Sequence, residues 1–180
     1  MQDAHPVTLR AATPDDALCI GVLATQVFLD TYATEGIRPA IAREARATMA
    51  PEVFAPLLAD PANRFILAER LGHLIGFVQW KPDQPHAMVT ARRPAELQRL
   101  YVLERFSSTG VGTRLLRAAE ADAAKGGADL MWLTAWSGNA RARAYYPRRG
   151  YVDAGTTSYS FEGETFENRL FVRLLDAVNS

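Results

Sequence analysis

The sequence predicts an α/β protein of the α+β kind, in which helices flank a mixed β-sheet. Three observations predict this class. Short apolar runs typical of strands occur at about seven places along the 180 residues. Stretches with apolar residues at helical spacing lie between several of these runs. Glycine-containing turns join two pairs of runs into hairpins. No linker, repeat or low-complexity segment interrupts this order, so a single domain over residues 1–180 is expected.

The composition is that of an ordinary globular chain without excess charge. Twenty Lys and Arg residues balance twenty Asp and Glu residues, which gives no basic surplus for nucleic acid or an anionic membrane. No apolar run approaches the roughly 20 residues that a membrane-spanning helix needs. Cys19 is the only cysteine, and the N-terminus lacks a signal-peptide pattern. We therefore expect a soluble cytoplasmic protein with a small-molecule partner.

The N-terminal third is predicted to contain one strand, over Val7 to Ala11, and then helices. Thr13-Pro14-Asp15-Asp16 is typical of a helix start, with a hydroxyl cap, a proline and two carboxylates. Prolines precede 40–49 and 52–58 and predict a second helix that is broken between them. Helical spacing places these residues of the first helix on one face, which we expect to be buried: Cys19, Val22, Leu23, Gln26 and Val27.

The middle of the chain predicts a hairpin, a strand and a long helix. The hairpin joins 64–69 to 74–80 through a turn that contains Gly72. A strand is expected over 95–103, and the helix begins at Gly110 and stops at Gly126-Gly127. The residues expected on the buried face of this helix are Val111, Leu115, Leu116, Ala119 and Ala123.

The C-terminal third predicts a buried strand over 130–136, a helix and a second hairpin. Asn139 is a good helix cap, and the helix is expected to reach about Arg149 before Gly150 ends it. The hairpin joins 151–161 to 165–175 through Glu162-Gly163-Glu164.

The segment 104–116 is the most informative for chemistry, because it leads from a strand through a glycine-containing loop into a helix. Backbone N–H groups at a helix start have no intrahelical acceptor, and the helix dipole adds partial positive charge there. Such a loop can bind a pyrophosphate, with Gly110 and Gly112 allowing close approach. The alternative is that these glycines serve only a tight turn and close helix packing.

Other nucleotide and metal sites are not supported. A dinucleotide fingerprint requires a glycine where Leu115 stands, and a P-loop requires Gly-Lys-Ser/Thr where the chain has Gly112-Thr113-Arg114. The three histidines are scattered, and neither His-Glu-x-x-His nor paired cysteines occur. No metal is expected.

A second segment, 139–151, runs from the Asn cap to a Tyr-x-x-x-Gly-Tyr sequence that ends at Tyr151. Together with the phosphate loop, the apolar strand and the closing hairpin, it resembles the Gcn5-related N-acetyltransferase (GNAT) superfamily over about 7–175. The resemblance implies a mostly antiparallel sheet of about seven strands, with helices on both faces and a splay between strands 4 and 5. It also implies acetyl-CoA as the cosubstrate.

The resemblance also implies where coenzyme A binds. The acetyl and pantetheine groups are expected along the strand at Tyr101 and Val102, and Asn139 is expected to contact the pantetheine arm or phosphates unless it is only a helix cap. Ser107 replaces the usual Gln or Arg of the family's loop, and Ser108 stands where another glycine is common. The pyrophosphate is expected on the loop residues Ser107, Ser108, Thr109, Gly110, Val111, Gly112 and Thr113.

Two side chains are implied for the chemistry. An alkylammonium with a pKa of about 10.4 must lose a proton before it attacks a thioester, and Glu96 is the implied base. The alternative is a solvated charge at the strand end. Tyr146 is implied beside the leaving thiolate, where its hydroxyl would stabilise or protonate sulfur, although a core aromatic residue is the alternative.

The acceptor is expected to be a primary amine of a small molecule. The segments 28–32 and 96–102 are similar to the bacterial spermidine/spermine N-acetyltransferase subgroup, which suggests a polyamine. A protein or peptide acceptor, or a catalytically idle acyl-CoA-binding regulator, remain alternatives, and a homodimer is possible. Candidate acceptor-binding residues are Asp30, Tyr32, Glu35, Gln79 and Trp80.

Overall fold

The computed structural model describes residues 5–161 and 163–176. Its twelve regular elements alternate as the sequence predicts. They are β1 (Thr8–Ala11), α1 (Ala17–Tyr32), α2 (Pro39–Met49), α3 (Pro51–Ala59), β2 (Arg64–Arg70), β3 (His73–Lys81), β4 (Pro94–Val102), α4 (Val111–Lys125), β5 (Leu130–Trp136), α5 (Ala140–Tyr145), β6 (Val152–Phe161) and β7 (Glu164–Leu174).

The strands form one seven-stranded sheet in the order β1-β2-β3-β4-β5-β7-β6. The ladders β1–β2, β2–β3, β5–β7 and β6–β7 are antiparallel, and β4–β5 is parallel. The predicted mixed, mostly antiparallel sheet is therefore confirmed. The parallel ladder joins Pro94–Glu96 to Leu130–Trp132, whereas β5 pairs with β7 over its whole length.

Contacts divide the chain into two compact units. The first comprises Met1–Trp80 with Arg99–Ala119, and the second comprises Lys81–Gln98 with Glu120–Ser180. Both β4 and α4 contribute residues to each unit.

The core of the first unit is built from α1, α2, α3 and one face of β2 and β3. Ile20, Leu23 and Phe54 pack there with Phe65 and Phe77 of the hairpin. The aromatic rings of Phe54 and Phe77 meet edge to face, with centroids 5.9 Å apart, which is a favoured geometry for buried rings. This core fixes the strand face on which Gln79, Arg99 and Tyr101 lie.

The predicted buried face of α1 is right for Leu23 and Val27 and wrong for Cys19, Val22 and Gln26. Ile20, Leu23 and Ala24 are buried, whereas Cys19 is exposed and Val22 is 58% exposed. Ile20, Leu23, Ala24, Val27 and Phe28 also recur at helical spacing, and packing against the core selects this overlapping face. Before α1 begins at Ala17, Pro14–Asp16 form a 3₁₀ turn. The Asp16 carboxylate accepts from the Thr13 backbone N–H at 2.7 Å and from its hydroxyl at 3.2 Å. Thr13 and Asp16 thus form a capping box at this helix start, as the predicted hydroxyl cap requires.

The β2–β3 turn confirms the predicted hairpin. Leu71 and Gly72 both have positive φ, 54° and 74°, which matches the turn type that follows the twist of two antiparallel strands.

The predicted buried face of α4 is confirmed. The residues on it are all buried: Val111, Leu115, Leu116, Ala119 and Ala123.

The second unit holds β5, α5, β6 and β7, with a buried polar network between α4 and the C-terminal hairpin. Tyr151 Oη donates to Glu120 Oε1 at 2.9 Å, and Arg173 Nη1 donates to both Glu120 oxygens at 3.0 and 3.1 Å. Burial beside Glu120 raises the pKa of the Tyr151 phenol, so this residue stays a neutral donor.

The helix that begins at Asn139 is shorter than predicted. α5 ends at Tyr145, and Pro147–Arg149 form a separate 3₁₀ turn, because Pro147 has no N–H for an α-helical bond. Gly150 ends the turn with φ 84°, as expected of a glycine at this position. The predicted second hairpin is confirmed by the β6–β7 ladder, and Glu162 of its turn lies outside the described residues.

Within residues 5–161 and 163–176, no helix is long and apolar enough to cross a bilayer. The same residues contain no group of three or more His, Cys, Asp or Glu side chains that could hold a metal ion.

Candidate active site

The loop before α4 has its backbone shaped by two left-handed residues. Ser108 has φ 64° and Gly110 has φ 89°, and left-handed residues of this kind are typical of loops whose successive N–H groups form an anion-binding nest. Ser107 donates its N–H to Glu104 O at 2.9 Å, and Thr109 Oγ1 donates to Phe106 O at 2.6 Å. These two bonds close the start of the loop.

The N–H groups that follow are available to a ligand. The bond of Arg114 N to Gly110 O at 3.0 Å lies in the first turn of α4. Among the described residues, the N–H groups of Ser108, Thr109, Gly110, Val111 and Gly112 have no acceptor. Five open N–H groups at a helix start form an anion-binding arrangement.

Two cations lie beside this loop. The guanidinium carbons of Arg70 and Arg105 are 5.9 and 6.0 Å from the centroid of the Phe106 ring. Together with the α4 dipole they make the loop electropositive, although Glu104 offsets part of that charge. Of the predicted loop residues, Ser107 differs, because its N–H and hydroxyl are already bonded to Glu104.

The end of β4 lies against β3 with an unusually close backbone approach. A Cβ atom on Gly76 would lie 2.7 Å from Tyr101 O and 3.1 Å from Val102 Cγ2, so only glycine fits there. The Tyr101 ring packs edge to face on Phe77 with centroids 5.5 Å apart. Burial raises the pKa of the Tyr101 phenol to about 12, which excludes it as a base at neutral pH.

The predicted acceptor residues occupy different environments. Asp30 and Glu35 are exposed, and Tyr32 is 39% exposed beside Phe28. Gln79 and Trp80 are 0% and 2% exposed. The Gln79 amide is enclosed by two polar neighbours, since its Nε2 donates to Asn63 Oδ1 at 3.2 Å and its Oε1 accepts from Arg99 Nη1 at 2.5 Å.

Arg99 is a residue of this site that the sequence reasoning missed. It is half-buried, its Nη2 donates to Thr48 O at 3.3 Å, and its guanidinium carbon lies 5.2 Å from the centroid of the Phe54 ring. Its Nε is buried without a hydrogen-bond partner. The available signal was strand parity, because Arg99 shares one face of β4 with the inward-facing Leu97 and Tyr101.

In the second unit, Asn139 caps α5. Its Oδ1 accepts from Ala142 N at 3.0 Å, so the helix-cap role is present. The Nδ2 group has no acceptor among the described residues and is left for a ligand. Glu96 is half-buried on β4, where its Oε2 accepts from Gln98 Nε2 at 3.2 Å.

Tyr146 is 8% exposed and lies in an aromatic cluster. Its ring centroid is 5.1 Å from that of Tyr145, 5.4 Å from that of Tyr151 and 5.8 Å from that of Phe171. The cluster fixes the ring, and removal of the hydroxyl alone would leave this packing in place.

The sheet has seven strands, its β4–β5 ladder is parallel, and an amide-lined loop leads from β4 into α4. This combination is typical of the N-acetyltransferase fold class. The chain belongs to the Acetyltransferase (GNAT) family, whose family profile matches residues 30–151.

Curated relatives carry the same family name. The chain is 30% identical over 155 residues to a Bacillus subtilis protein named uncharacterized N-acetyltransferase YhfO, a match that covers 85% of this chain and 95% of that protein. It is 28% identical over 129 residues to the Mycobacterium tuberculosis protein named uncharacterized N-acetyltransferase Rv2669, covering 72% and 78% of the two chains.

Solved structures share the fold. The PaiA N-acetyltransferase of Thermoplasma acidophilum, crystallised in complex with coenzyme A, superposes with a TM-score of 0.71 at 21% identity and covers 91% of this chain and 98% of its own. A GCN5-related N-acetyltransferase from Rhodopseudomonas palustris has a TM-score of 0.73 at 23% identity, covering 97% and 99%. At these identities the superpositions show the fold alone.

Proposed function

We propose that this protein transfers the acetyl group of acetyl-CoA to the primary amine of a small molecule, by direct attack of the amine on the thioester. The observation that carries the proposal is the run of five open N–H groups from Ser108 to Gly112. It provides main-chain donors for a diphosphate without a lysine, which is the requirement for holding coenzyme A by its phosphates.

The thioester is proposed to lie along the end of β4 at Tyr101 and Val102. Backbone N–H groups there would stabilise the negative charge that develops on the carbonyl oxygen during attack. Asn139 is proposed to hold the cosubstrate through Nδ2, the group that its capping bond leaves over.

The proton transfers are assigned to two residues. Glu96 is proposed to accept the ammonium proton, directly or through water, because no cation among the described residues pairs with its carboxylate. Tyr146 is proposed to donate to the departing sulfur, because its ring is fixed by three aromatic neighbours. The ammonium gives one proton to Glu96 before attack. As the C–S bond breaks and the amide forms, the nitrogen loses a second proton, the thiolate takes one from Tyr146, and the second amine proton restores the Tyr146 hydroxyl through water. No covalent enzyme intermediate is required.

The names of the structural neighbours do not indicate a single class of acceptor. They include a phosphinothricin N-acetyltransferase described as putative and a ribosomal-protein-alanine N-acetyltransferase, each 18% identical to this chain. Small-molecule and protein acceptors therefore both belong in the test.

The test is thiol release from acetyl-CoA with a panel of polyamines, monoamines, amino acids and peptides. Amine-dependent release with a small molecule supports the proposal. Faster thiol release with peptides would show that the acceptor is a peptide or protein amine and not a small molecule. Binding of acetyl-CoA with no amine-dependent release would instead support a catalytically idle acyl-CoA-binding regulator.

A further inference from the structure

The first unit contains a polar cluster with a buried centre, Asn63 and Gln79, that the acetyl transfer described above does not use. We define the Arg99 cluster as Asp60, Asn63, Gln79, Arg99 and the Thr48 carbonyl. Its hydrogen bonds run in one direction. Arg99 Nη1 donates to Gln79 Oε1, Gln79 Nε2 donates to Asn63 Oδ1, and Asn63 Nδ2 donates to Asp60 Oδ2 at 2.9 Å.

This chain of bonds fixes the Gln79 amide in one orientation. Its oxygen faces Arg99 and its nitrogen faces Asn63, so the amide cannot flip without losing both bonds. The Asp60 carboxylate at the far end polarises the chain toward Arg99. Gln79 and Asn63 therefore act as positioning residues for the guanidinium.

Arg99 keeps donors that the protein does not satisfy. A guanidinium has five N–H groups. Gln79 Oε1 and the Thr48 carbonyl accept from Nη1 and Nη2, and the Tyr101 hydroxyl also interacts with the guanidinium. Nε is buried without a partner, and no carboxylate among the described residues lies within ion-pair distance of Arg99. A half-buried cation whose Nε has no acceptor and which has no anion beside it is costly, so an arrangement of this kind favours an anionic ligand.

Arg99 lies close enough to Tyr101 on β4 to contact an acceptor that is bound beside Tyr101. It lies two residues before Tyr101 on the same face of β4, and both side chains contact α2, Arg99 at Thr48 O and Tyr101 at Met49 Sδ. Successive same-face residues of a strand are about 7 Å apart. An amine that attacks a thioester beside Tyr101 would thus extend its remaining atoms along the strand to Arg99.

We infer that the acceptor is a primary amine that also carries a carboxylate, and that Arg99 binds this carboxylate. The inference rests on the proposed acetyl transfer and specifies its substrate class. The planar guanidinium matches a carboxylate with two parallel N–H···O bonds. The same charge disfavours a polyamine, whose second ammonium would face Arg99.

The experiment compares amino acids with their decarboxylated partners, which differ only in the group that Arg99 would bind. The pairs are γ-aminobutyrate with n-propylamine, lysine with cadaverine, and phenylalanine with phenethylamine. For at least one pair, we expect kcat/KM to be about 10-fold to 100-fold higher for the carboxylate, since a hydrogen bond to a charged group contributes that factor.

The variant Arg99→Gln should remove this preference by raising KM for the carboxylates about 10-fold or more. The decarboxylated amines lack the group that Arg99 would bind, so their loss should be clearly smaller than the loss for the carboxylates. Arg64→Gln is the matched control, because it removes an exposed arginine from the same unit. Arg99→Lys keeps the positive charge but cannot donate two parallel hydrogen bonds to a carboxylate, so it should give an intermediate KM for the carboxylates.

The outcomes separate the two proposals. Faster turnover of the decarboxylated partners, or an equal loss for both members of each pair in a folded Arg99→Gln, overturns the carboxylate inference alone. If Arg99→Gln does not fold, the comparison of matched amines in the unaltered protein still decides. Absence of acetyl-CoA binding overturns the proposed function and this inference together.

Discussion

Gly110→Ala is the substitution that most specifically perturbs the proposed diphosphate loop. Gly110 has φ 89°, where an L side chain is strained, and a methyl group there would meet no atom within 4 Å. The cost is therefore backbone strain of about 1–2 kcal/mol rather than a steric clash. Relief of that strain rotates the peptide group and re-aims the Val111 N–H away from a bound phosphate.

The chain provides a matched control for this strain. Gly72 in the β2–β3 turn has φ 74° and is equally open, with no atom within 4 Å of an added methyl group. Gly72→Ala should lose the same 1–2 kcal/mol of unfolding free energy, which lowers Tm by roughly 2–4 °C per kcal/mol for a chain of this size.

The two variants should separate in coenzyme A affinity. Loss of one N–H bond to a charged phosphate weakens binding by about 10-fold, so Gly110→Ala should raise Kd by that factor and Gly72→Ala should leave it unchanged. Thermal unfolding and calorimetric titration measure the two quantities. Equal affinity in both variants, at equal Tm, would refute the assignment of the diphosphate to this loop.

Three further results are expected. Tyr146→Phe should lower kcat about 10-fold or more at unchanged acetyl-CoA affinity, and Tyr145→Phe is the matched control. Unaltered turnover in Tyr146→Phe would show that the Tyr146 hydroxyl does not protonate the leaving thiolate. Glu96→Gln should lower turnover at neutral pH and recover in part at high pH, where the amine deprotonates without help; a pH-independent loss would point to another base. Hydrogen bonds from Arg10 lower the pKa of Asp16 to about 2. The folded-state pKa lies below the unfolded value, so the pair stabilises the fold above about pH 4, and this contribution disappears as pH falls toward 2. The difference in unfolding free energy between wild type and Asp16→Asn should therefore be about 1–2 kcal/mol at pH 7, after screening at the half-exposed Arg10, and shrink in acid, whereas a constant difference would contradict it.

The periodic elements were predictable because their patterns are local. The β5 run has the predicted bounds, Leu130–Trp136, and the buried face of α4 was predicted residue by residue. The face of α1 was predicted only in part, because two overlapping sets of residues recur at helical spacing and packing against distant segments such as Phe54 and Phe65 selects one of them. Cys19 belongs to the other set and is exposed.

The candidate site was predictable from the sequence only where it consists of main-chain groups whose conformation a local residue such as glycine indicates. Glycine at position 110 marks a positive φ in the sequence itself, whereas the positive φ of Ser108 has no such mark. Side-chain partnerships between distant segments are also not local. The Gln79–Arg99 bond joins two strands twenty positions apart, so the sequence could not show that Gln79 is enclosed while Arg99 retains open donors.

The most direct test of the diphosphate loop is calorimetric titration with coenzyme A, dephospho-coenzyme A and pantetheine. The first two carry the diphosphate, and the third carries the same thiol arm without it. We expect the first two to bind with similar affinity and pantetheine, which lacks the adenosine as well as the diphosphate, to bind at least 100-fold more weakly, since the loss of several phosphate bonds alone removes about 3 kcal/mol. Equal affinity for pantetheine and coenzyme A, or no heat with coenzyme A, would contradict the assignment.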